Sequence, residues 1–225
     1  LRRAPVPAPP EPLRFTAAPA VAASERPAAE TDGALPLVEL ENVGVGERLY
    51  LEGRLAVRPG QRLLVTGENG AGKSTLLRVL AGGLDPDRGV VRRPATVGYL
   101  PQDLPVRVGR LPLLAAFAAR RPGPVEEHRD TLLALGLFRE EDLTVPVAAL
   151  SAGQQRRLQI ARLVTRPADL LVLDEPTNHV ALDLVEDLEA ALVAYPGAVV
   201  AVSHDRGFRA RFPGEGLRLR EGRLV

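Results

Sequence analysis

The sequence predicts an α/β fold in which helices cover a parallel core sheet, and three features indicate it. Residues 170–173 and 198–202 are uninterrupted apolar runs of strand length, as expected for strands buried on both faces of a parallel sheet. Between them, apolar residues from Leu184 to Leu192 recur at i, i+4, i+7 and i+8, the spacing of an amphipathic helix. Strands that alternate with helices in this way build a parallel sheet.

Further elements follow from local patterns of apolar residues, glycine and proline. A helix with Leu76, Leu77 and Leu80 on one face follows a glycine-rich loop and stops at a Gly-Gly pair. The other predicted elements are an edge strand at residues 37–41, a strand at 49–57, buried strands at 63–65 and 97–100, and a mainly helical region at 111–149.

Composition divides the chain into two parts. Residues 1–36 hold eight of the 21 prolines and ten alanines, which is typical of an extended or disordered connector. We therefore predict a Pro/Ala-rich linker at 1–36, joined to a missing upstream domain, and a folded domain at 37–225. The whole sequence lacks cysteine, which excludes disulfides and thiolate metal sites. No secretory signal and no bilayer-spanning apolar run is visible, and we expect a cytoplasmic location.

The 29 basic residues include a single lysine, Lys73. Arginine evidently serves at the other sites, so Lys73 indicates chemistry that a planar guanidinium cannot supply. A compact ammonium on a flexible stem can reach between phosphates.

Residues 67–74, Gly-Glu-Asn-Gly-Ala-Gly-Lys-Ser, match the phosphate-binding pattern G-x-x-x-x-G-K-[ST] between a predicted strand and a predicted helix. Glycines let the backbone N–H groups converge on phosphate oxygens, and the helix N-terminus adds positive potential. Lys73 would reach the β- and γ-phosphates, and the Ser74 hydroxyl would bind Mg²⁺. The predicted nucleotide-binding residues are Gly67, Glu68, Asn69, Gly70, Ala71, Gly72, Lys73, Ser74 and Thr75.

The apolar run at 170–173 ends in Asp174 and Glu175, about a hundred residues after the phosphate loop. The carboxyl end of a strand in an open α/β sheet is where ligands bind. Asp174 is predicted to hold Mg²⁺ through water. Glu175 is predicted to orient or deprotonate the attacking water.

Residues 150–155, Leu-Ser-Ala-Gly-Gln-Gln, are explained locally as a helix start capped by Ser151. Their position shortly before Asp174 also indicates a functional motif. The segment resembles the LSGGQ signature of the ATP-binding cassette family, with Ala152 in place of the first glycine. Gln102 resembles the family's Q-loop glutamine, and His204 its switch histidine. The resemblance covers residues 37–225, with five motifs in the family's order.

The resemblance implies a P-loop NTPase cassette with a parallel core sheet, an antiparallel β subdomain and a small helical subdomain. It implies that Gln102 joins Ser74 and Asp174 at Mg²⁺, and that His204 contacts the γ-phosphate. It further implies that the signature of one cassette covers the ATP of another. The residues that would act in trans are Ser151, Ala152, Gly153 and Gln154. The expected catalytic set is Glu175, His204, Gln102 and Lys73, acting after pairing with a second cassette.

The string Asp-Glu-Pro-Thr-Asn-His at 174–179 resembles the ABC-F branch, which pairs two cassettes in one chain and acts on ribosomes. The resemblance implies that residues 37–225 are the second, C-terminal cassette of such a protein. The run at 181–189 also resembles antibiotic-resistance members of that branch. The alternative is the motor subunit of an ABC transporter with a transmembrane partner, which would need a coupling surface near Gln102 and residues 103–125. A DNA-repair or structural cassette is disfavoured because sustained heptads are absent.

Two positions depart from the family pattern. Residues 43–46, where many cassettes carry an adenine-stacking aromatic, contain none, and we expect the nearest aromatic, Tyr50, to serve strand packing. Phosphate contacts should then dominate binding, with GTP competing within about tenfold of ATP. Ala181 stands where the family has the D-loop aspartate, so communication across the dimer is expected to differ.

Overall fold

The computed structural model describes residues 13–15, 35–93, 95–102 and 110–225. Within these ranges the chain forms two β-sheets and six α-helices. The strands are β1 (Val38–Val45), β2 (Leu49–Tyr50), β3 (Arg54–Val57), β4 (Arg62–Thr66), β5 (Arg88–Arg92), β6 (Val97–Leu100), β7 (Leu170–Asp174), β8 (Ala198–Val202), β9 (Glu215–Arg220) and β10 (Arg223–Leu224). The helices are α1 (Lys73–Leu80), α2 (Leu113–Ala118), α3 (Arg129–Ala134), α4 (Ala152–Val164), α5 (Leu182–Ala194) and α6 (Arg206–Arg211).

The larger sheet has the strand order β10-β9-β4-β8-β7-β6. The strands from β9 to β6 pair in parallel, and β10 returns antiparallel to β9 as a hairpin. Strands β7 and β8 are buried at every position, which confirms the prediction from their uninterrupted apolar sequences. The carboxyl ends of β4, β7 and β8 therefore meet at one edge of the sheet, where the predicted phosphate loop, Asp174 and His204 follow them.

The smaller sheet is antiparallel, and β1 is its interior strand. Residues Glu39, Leu40 and Glu41 pair with β3 on one side and with β5 on the other. The prediction of an edge strand at 37–41 is therefore wrong. Strand β5 supplies the second neighbour, and it escaped prediction because its residues are almost all exposed.

The predicted strand at 49–57 is two strands, because the chain turns at Gly53. Gly53 has φ +78°, a left-handed conformation that glycine adopts without strain. Its N–H donates to the Asn42 side chain at 2.9 Å. Strands β2 and β3 thus pair with different parts of β1.

The region 111–149 is helical in short pieces. Two six-residue α-helices, α2 and α3, alternate with 3₁₀ turns at Val125–His128, Glu140–Asp142 and Val147–Ala149. Pro112, Pro124 and Pro146 precede three of these pieces and prevent longer helices. Together with α4 they enclose a separate core cluster around Phe117, which makes this the predicted small helical subdomain.

Most of the predicted linker, residues 1–12 and 16–34, lies outside the described residues, and its boundary stays a prediction. Between these ranges, Leu13 is buried in the core cluster that also contains Tyr195. The Phe15 ring meets the Tyr195 ring edge-on at 5.8 Å between centroids. At this point the N-terminal part contacts the folded domain. Of the helices in the described ranges, none has the length and apolarity needed to cross a membrane.

Candidate functional site

The phosphate loop connects β4 to α1 as the sequence predicts. Gly67, Gly70 and Gly72 all have positive φ. A Cβ at Gly72 would lie 2.4 Å from the carbonyl oxygen of Arg48, so glycine is required there on both steric and conformational grounds. No side chain caps the N-terminus of α1, and its first N–H groups remain available to a ligand.

Lys73 is buried at the base of this loop and stabilises its shape. Its Nζ atom donates hydrogen bonds to the carbonyl oxygens of Gly67 and Glu68, both at 2.8 Å. The ammonium is therefore placed by loop carbonyls and lies within the same cavity as the glycines. Its contact with the β- and γ-phosphates stays a prediction.

A cavity of about 580 Å³ brings most predicted site residues together. The predicted residues that line it are Asn69, Gly70, Gly72, Lys73, Ser74, Thr75, Gln102, Asp174, Glu175 and His204. Gly67, Glu68 and Ala71 do not line it, because they form the base of the loop. The Ala71 side chain is buried in the main core cluster, and the Glu68 carbonyl bonds Lys73.

Asp174 and Ser74 face each other at the edge of this cavity. The Ser74 hydroxyl hydrogen-bonds the Asp174 carboxylate. Burial raises the pKa of Asp174 and neighbouring Glu175 raises it further, against the lowering effects of Ser74, Arg156 and Lys73. Burial disfavours the ionised carboxylate unless a cation lies beside it. One hydroxyl and one carboxylate fit Mg²⁺, which takes few protein ligands beside phosphate and water oxygens.

Glu175 occupies a strained backbone position next to Asp174. Its φ is +49°, unusual for a residue with a side chain, and its N–H bonds the Val202 carbonyl at 2.9 Å. One carboxylate oxygen, Oε2, accepts the His204 backbone N–H at 3.0 Å. The other, Oε1, is buried, lies 3.5 Å from the His204 Nε2 atom and has no hydrogen bond among the described residues. Of the two carboxylate oxygens, Oε1 is therefore the one to which no described residue donates a hydrogen bond.

Arg156 contacts the backbone of the candidate site and was not predicted from the sequence. It is buried on α4, and its guanidinium donates to the carbonyl oxygens of Asp174 at 3.0 Å and Glu175 at 2.5 Å. It also donates to the Pro101 carbonyl at 2.6 Å. One side chain thus connects the signature helix, the end of β7 and the residue before Gln102. No local pattern marks it, because the sequence is rich in arginine.

Three further residues that were not predicted line the cavity. Arg48, Asn178 and Val202 complete its wall, and Arg48 is exposed to solvent. Tyr50 is not part of the wall. The Arg88 and Arg223 guanidiniums lie 4.4 and 4.6 Å from its ring centroid, so its ring is packed against cations, as expected for a structural aromatic.

The signature segment lies outside the cavity. Ser151 caps α4, because its hydroxyl accepts the Gln154 N–H at 3.2 Å while the Gln154 side chain accepts the Ser151 N–H at 3.0 Å. The predicted cap is therefore confirmed. A Cβ at Gly153 would lie 3.3 Å from the His179 carbonyl, which places the signature against the loop after Glu175. Ser151 and Ala152 are exposed and free to contact another molecule.

Comparison with known proteins identifies the family. The family described as ABC transporter matches residues 52–178, which hold the phosphate loop, the signature and Asp174–Glu175. The tylosin resistance ATP-binding protein TlrC of Streptomyces fradiae is 52% identical over 194 residues, covering 86% of this chain and 35% of that protein. The mouse ATP-binding cassette sub-family F member 3 is 41% identical over 154 residues, covering 65% of this chain and 21% of that protein.

The chain spans about a third or less of the length of these curated relatives. Among solved structures, the dimeric cassette MJ0796 in a post-hydrolysis state bound to ADP and Pi superposes with a TM-score of 0.66 at 25% identity, covering 83% of this chain and 96% of that one. A nucleotide-free cassette from an ABC transporter superposes with a TM-score of 0.64 at 21% identity, covering 85% and 90%. The chain therefore belongs to the ABC transporter family, as an ATP-binding cassette of the ABC-F type.

Proposed function

We propose that the chain is one cassette of a two-cassette ABC-F protein, which hydrolyses Mg-ATP at composite sites and acts on the ribosome in the cytoplasm. The observation that carries the first part is the separation of two half-sites. Most of the phosphate loop, Asp174, Glu175 and His204 share one cavity, whereas Ser151 and Ala152 are exposed outside it. Two cassettes arranged head to tail would join each cavity to a signature.

In this proposal the phosphate loop and Lys73 bind the β- and γ-phosphates through N–H groups and one ammonium. Ser74 and Asp174 hold Mg²⁺, with Gln102 at the same edge of the cavity. Mg²⁺ supplies neutralisation of phosphate charge and fixes the orientation of the phosphates. The free Oε1 of Glu175 orients a water molecule towards the γ-phosphate and takes its proton.

His204 and the signature complete the site. The His204 backbone N–H fixes Glu175, and its half-exposed ring remains free to meet the γ-phosphate. From the second cassette, Ser151, Ala152, Gly153 and Gln154 would approach the same phosphate with the N-terminus of α4. Hydrolysis by one cassette alone is then slow, because half of the charge-stabilising groups are missing.

The ribosomal role is supported by the relatives and by the string at 174–179. TlrC is named for tylosin resistance, and the sub-family F protein carries the branch in its name. Ribosome protection against an antibiotic is the specific form of the proposal. Blocking hydrolysis should preserve the ATP-bound closed form and hence the bound partner, because only a ligand that prefers the closed form can shift the population towards it.

The test uses the longer protein that contains this cassette, with Glu175 and the corresponding glutamate of the other cassette changed to glutamine. We expect it to co-sediment with bacterial ribosomes only when ATP is present, and to lose the ribosome on the additional change Lys73→Ala. Binding to membranes that carry a transmembrane partner, with no affinity for ribosomes, would instead establish the transporter motor.

A further inference from the structure

A second cleft, of about 500 Å³, lies beside the nucleotide site along the outer edge of β6. Strand β6 pairs only with β7 among the described residues, so one of its edges is open. The cleft runs from the loop after α1 (Ala81–Gly83) to the C-terminal end of α4. Pro101 lines this cleft and the next residue, Gln102, lines the nucleotide cavity. The two sites are therefore neighbours.

Three arginines line this cleft, and no carboxylate among the described residues does. They are Arg120, Arg162 and Arg166. Burial lowers the pKa of Arg162, and the charges of Arg166 and Arg120 lower it further. Burial likewise lowers the pKa of neighbouring Arg121 to about 10, with Arg166 and Arg162 adding to the effect. Partly buried like charges are costly unless an anion neutralises them.

Backbone carbonyls hold in place Arg166 and its neighbour Arg121, which does not itself line the cleft. Arg121 donates to the Phe117 carbonyl at 3.0 Å, and Arg166 donates to the Ala119 carbonyl. Arg120 and Arg162 have no hydrogen bond or ion pair among the described residues, although Arg162 is only partly exposed. Arg120 has φ +66° in the turn after α2, which is closed by a hydrogen bond from the Arg121 N–H to the Ala118 carbonyl at 2.9 Å.

A further arginine, Arg93, lies behind the wall at Gly82 and does not itself line the cleft. The Arg93 Nη1 atom lies 3.5 Å from the position of a Cβ at Gly82, which lines the cleft. Its Nε donates to the Val79 carbonyl at 3.0 Å, while its Nη2 is buried without a hydrogen bond among the described residues. On the cleft wall itself, Arg120 and Arg162 have no acceptor among the described residues, and an anion in the cleft would supply one.

We propose that this arginine cleft binds the phosphodiester backbone of RNA. Guanidinium groups match phosphate oxygens in a two-pronged geometry, and several of them spaced along one cleft fit a chain of phosphates better than a single small anion. The choice of RNA rests on the proposed ribosomal function, whereas the anion site rests on the cleft alone. Since Pro101 forms part of the wall and accepts a hydrogen bond from Arg156, RNA in the cleft would contact the same segment that carries Gln102.

The test compares two double variants that remove the same charge. Arg120→Gln/Arg162→Gln alters the cleft at the two arginines that bond no backbone carbonyl. Arg139→Gln/Arg209→Gln alters two exposed arginines that line neither cavity. Binding of a fluorescein-labelled RNA hairpin is measured by anisotropy at several salt concentrations, and binding of a fluorescent ATP analogue reports on folding.

We expect the cleft variant to bind the hairpin at least tenfold more weakly, with the slope of log K against log salt reduced by about 2, one for each lost phosphate contact. The control should change less than twofold, and both variants should keep ATP affinity. Equally weakened RNA binding in the cleft variant and the control variant would overturn the proposal, because it would indicate nonspecific electrostatic attraction to surface arginines. Stronger competition by a glutamate peptide or by inorganic phosphate than by unlabelled RNA would also overturn it, in favour of an acidic protein partner or a small anion.

The same variants separate this inference from the proposed function. If the cleft variant of the longer protein binds ribosomes as tightly as the unchanged protein, the RNA site is wrong and the ribosomal role stands. If the cleft selects RNA but the longer protein never co-sediments with ribosomes, the ribosomal role fails and the RNA site stands.

Discussion

Lys73 illustrates how one residue carries both structure and chemistry. Lys73 is the single lysine among the 29 basic residues of the chain. It lies where two loop carbonyls accept its hydrogen bonds and where phosphate is proposed to bind. An arginine there would have to place a planar, larger group in a loop whose glycines already approach Arg48 and Leu219 closely. We therefore expect the shape of this residue to matter as well as its charge.

We predict that Lys73→Ala and Lys73→Arg both weaken ATP binding by more than a hundredfold, about 2.7 kcal/mol, because neither places a compact cation at the phosphates. Titration with a fluorescent ATP analogue measures this. Arg139→Ala, at a side chain 84% exposed, is the control. Binding by Lys73→Arg at the unchanged affinity would show that charge alone suffices.

Asp174 gives a prediction about pH and stability. The folded protein raises its pKa above the unfolded value of about 3.9, so its stabilising contribution is complete below that value and is lost as pH rises through the folded pKa. At neutral pH without Mg²⁺ the ionised carboxylate is destabilising. Asp174→Asn should raise the Tm by roughly 2–4 °C at pH 7, the effect of about 1 kcal/mol, with a smaller gain near pH 4.

Calorimetry of the nucleotide-free protein checks the Asp174 prediction, and the same variant should lose the Mg²⁺ dependence of ATP binding. A lower Tm at pH 7 would mean that the hydrogen bond from Ser74 outweighs the burial of the charge.

Some loops and strands of this fold were predictable from local sequence, and others were not. The loop at 67–74 and strands β7 and β8 were predictable, because glycine spacing and continuous apolar runs are local signals. Strand β9 was not, since its arginines leave only Leu219 buried and its pairing with β4 is a long-range choice. The interior position of β1 was unpredictable for the same reason, because it results from long-range pairing with β5.

In the candidate site, too, local motifs were predictable and long-range contacts were not. Ten of the predicted residues line the cavity, because each belongs to a motif next to a predicted strand or helix. Arg156 and Arg48 contribute through distances that exist only in the folded chain. Arg156 contacts Asp174, eighteen residues later, and Pro101, fifty-five residues earlier.

We predict that Arg156→Met destabilises the protein by about 2 kcal/mol, because buried carbonyls lose charged hydrogen-bond donors. This corresponds to a fall in Tm of roughly 4–8 °C, measured by thermal unfolding. Arg157→Met, at the next and more exposed position, is the matched control. If the two variants have the same Tm, the hydrogen bonds of Arg156 to the three segments do not stabilise the fold.

At the scale of the whole molecule, the contact of Leu13 and Phe15 with the core tests the domain boundary predicted at residue 37. Leu13→Ala should cost about 2 kcal/mol, because it removes a buried side chain from the cluster around Tyr195. Leu35→Ala, at a side chain 85% exposed, should cost almost nothing. Chemical denaturation measures both. An unchanged denaturation midpoint for Leu13→Ala would contradict this contact and support a linker over the whole of residues 1–36.

If each cassette holds half of each ATPase site, turnover per chain must depend on chain concentration. We expect slow hydrolysis per chain when the protein is dilute and a rise as chains pair, with Glu175→Gln forming a dimer in sedimentation only when ATP is present. Rapid turnover that is independent of concentration, in a species that sediments as a monomer, would contradict this expectation.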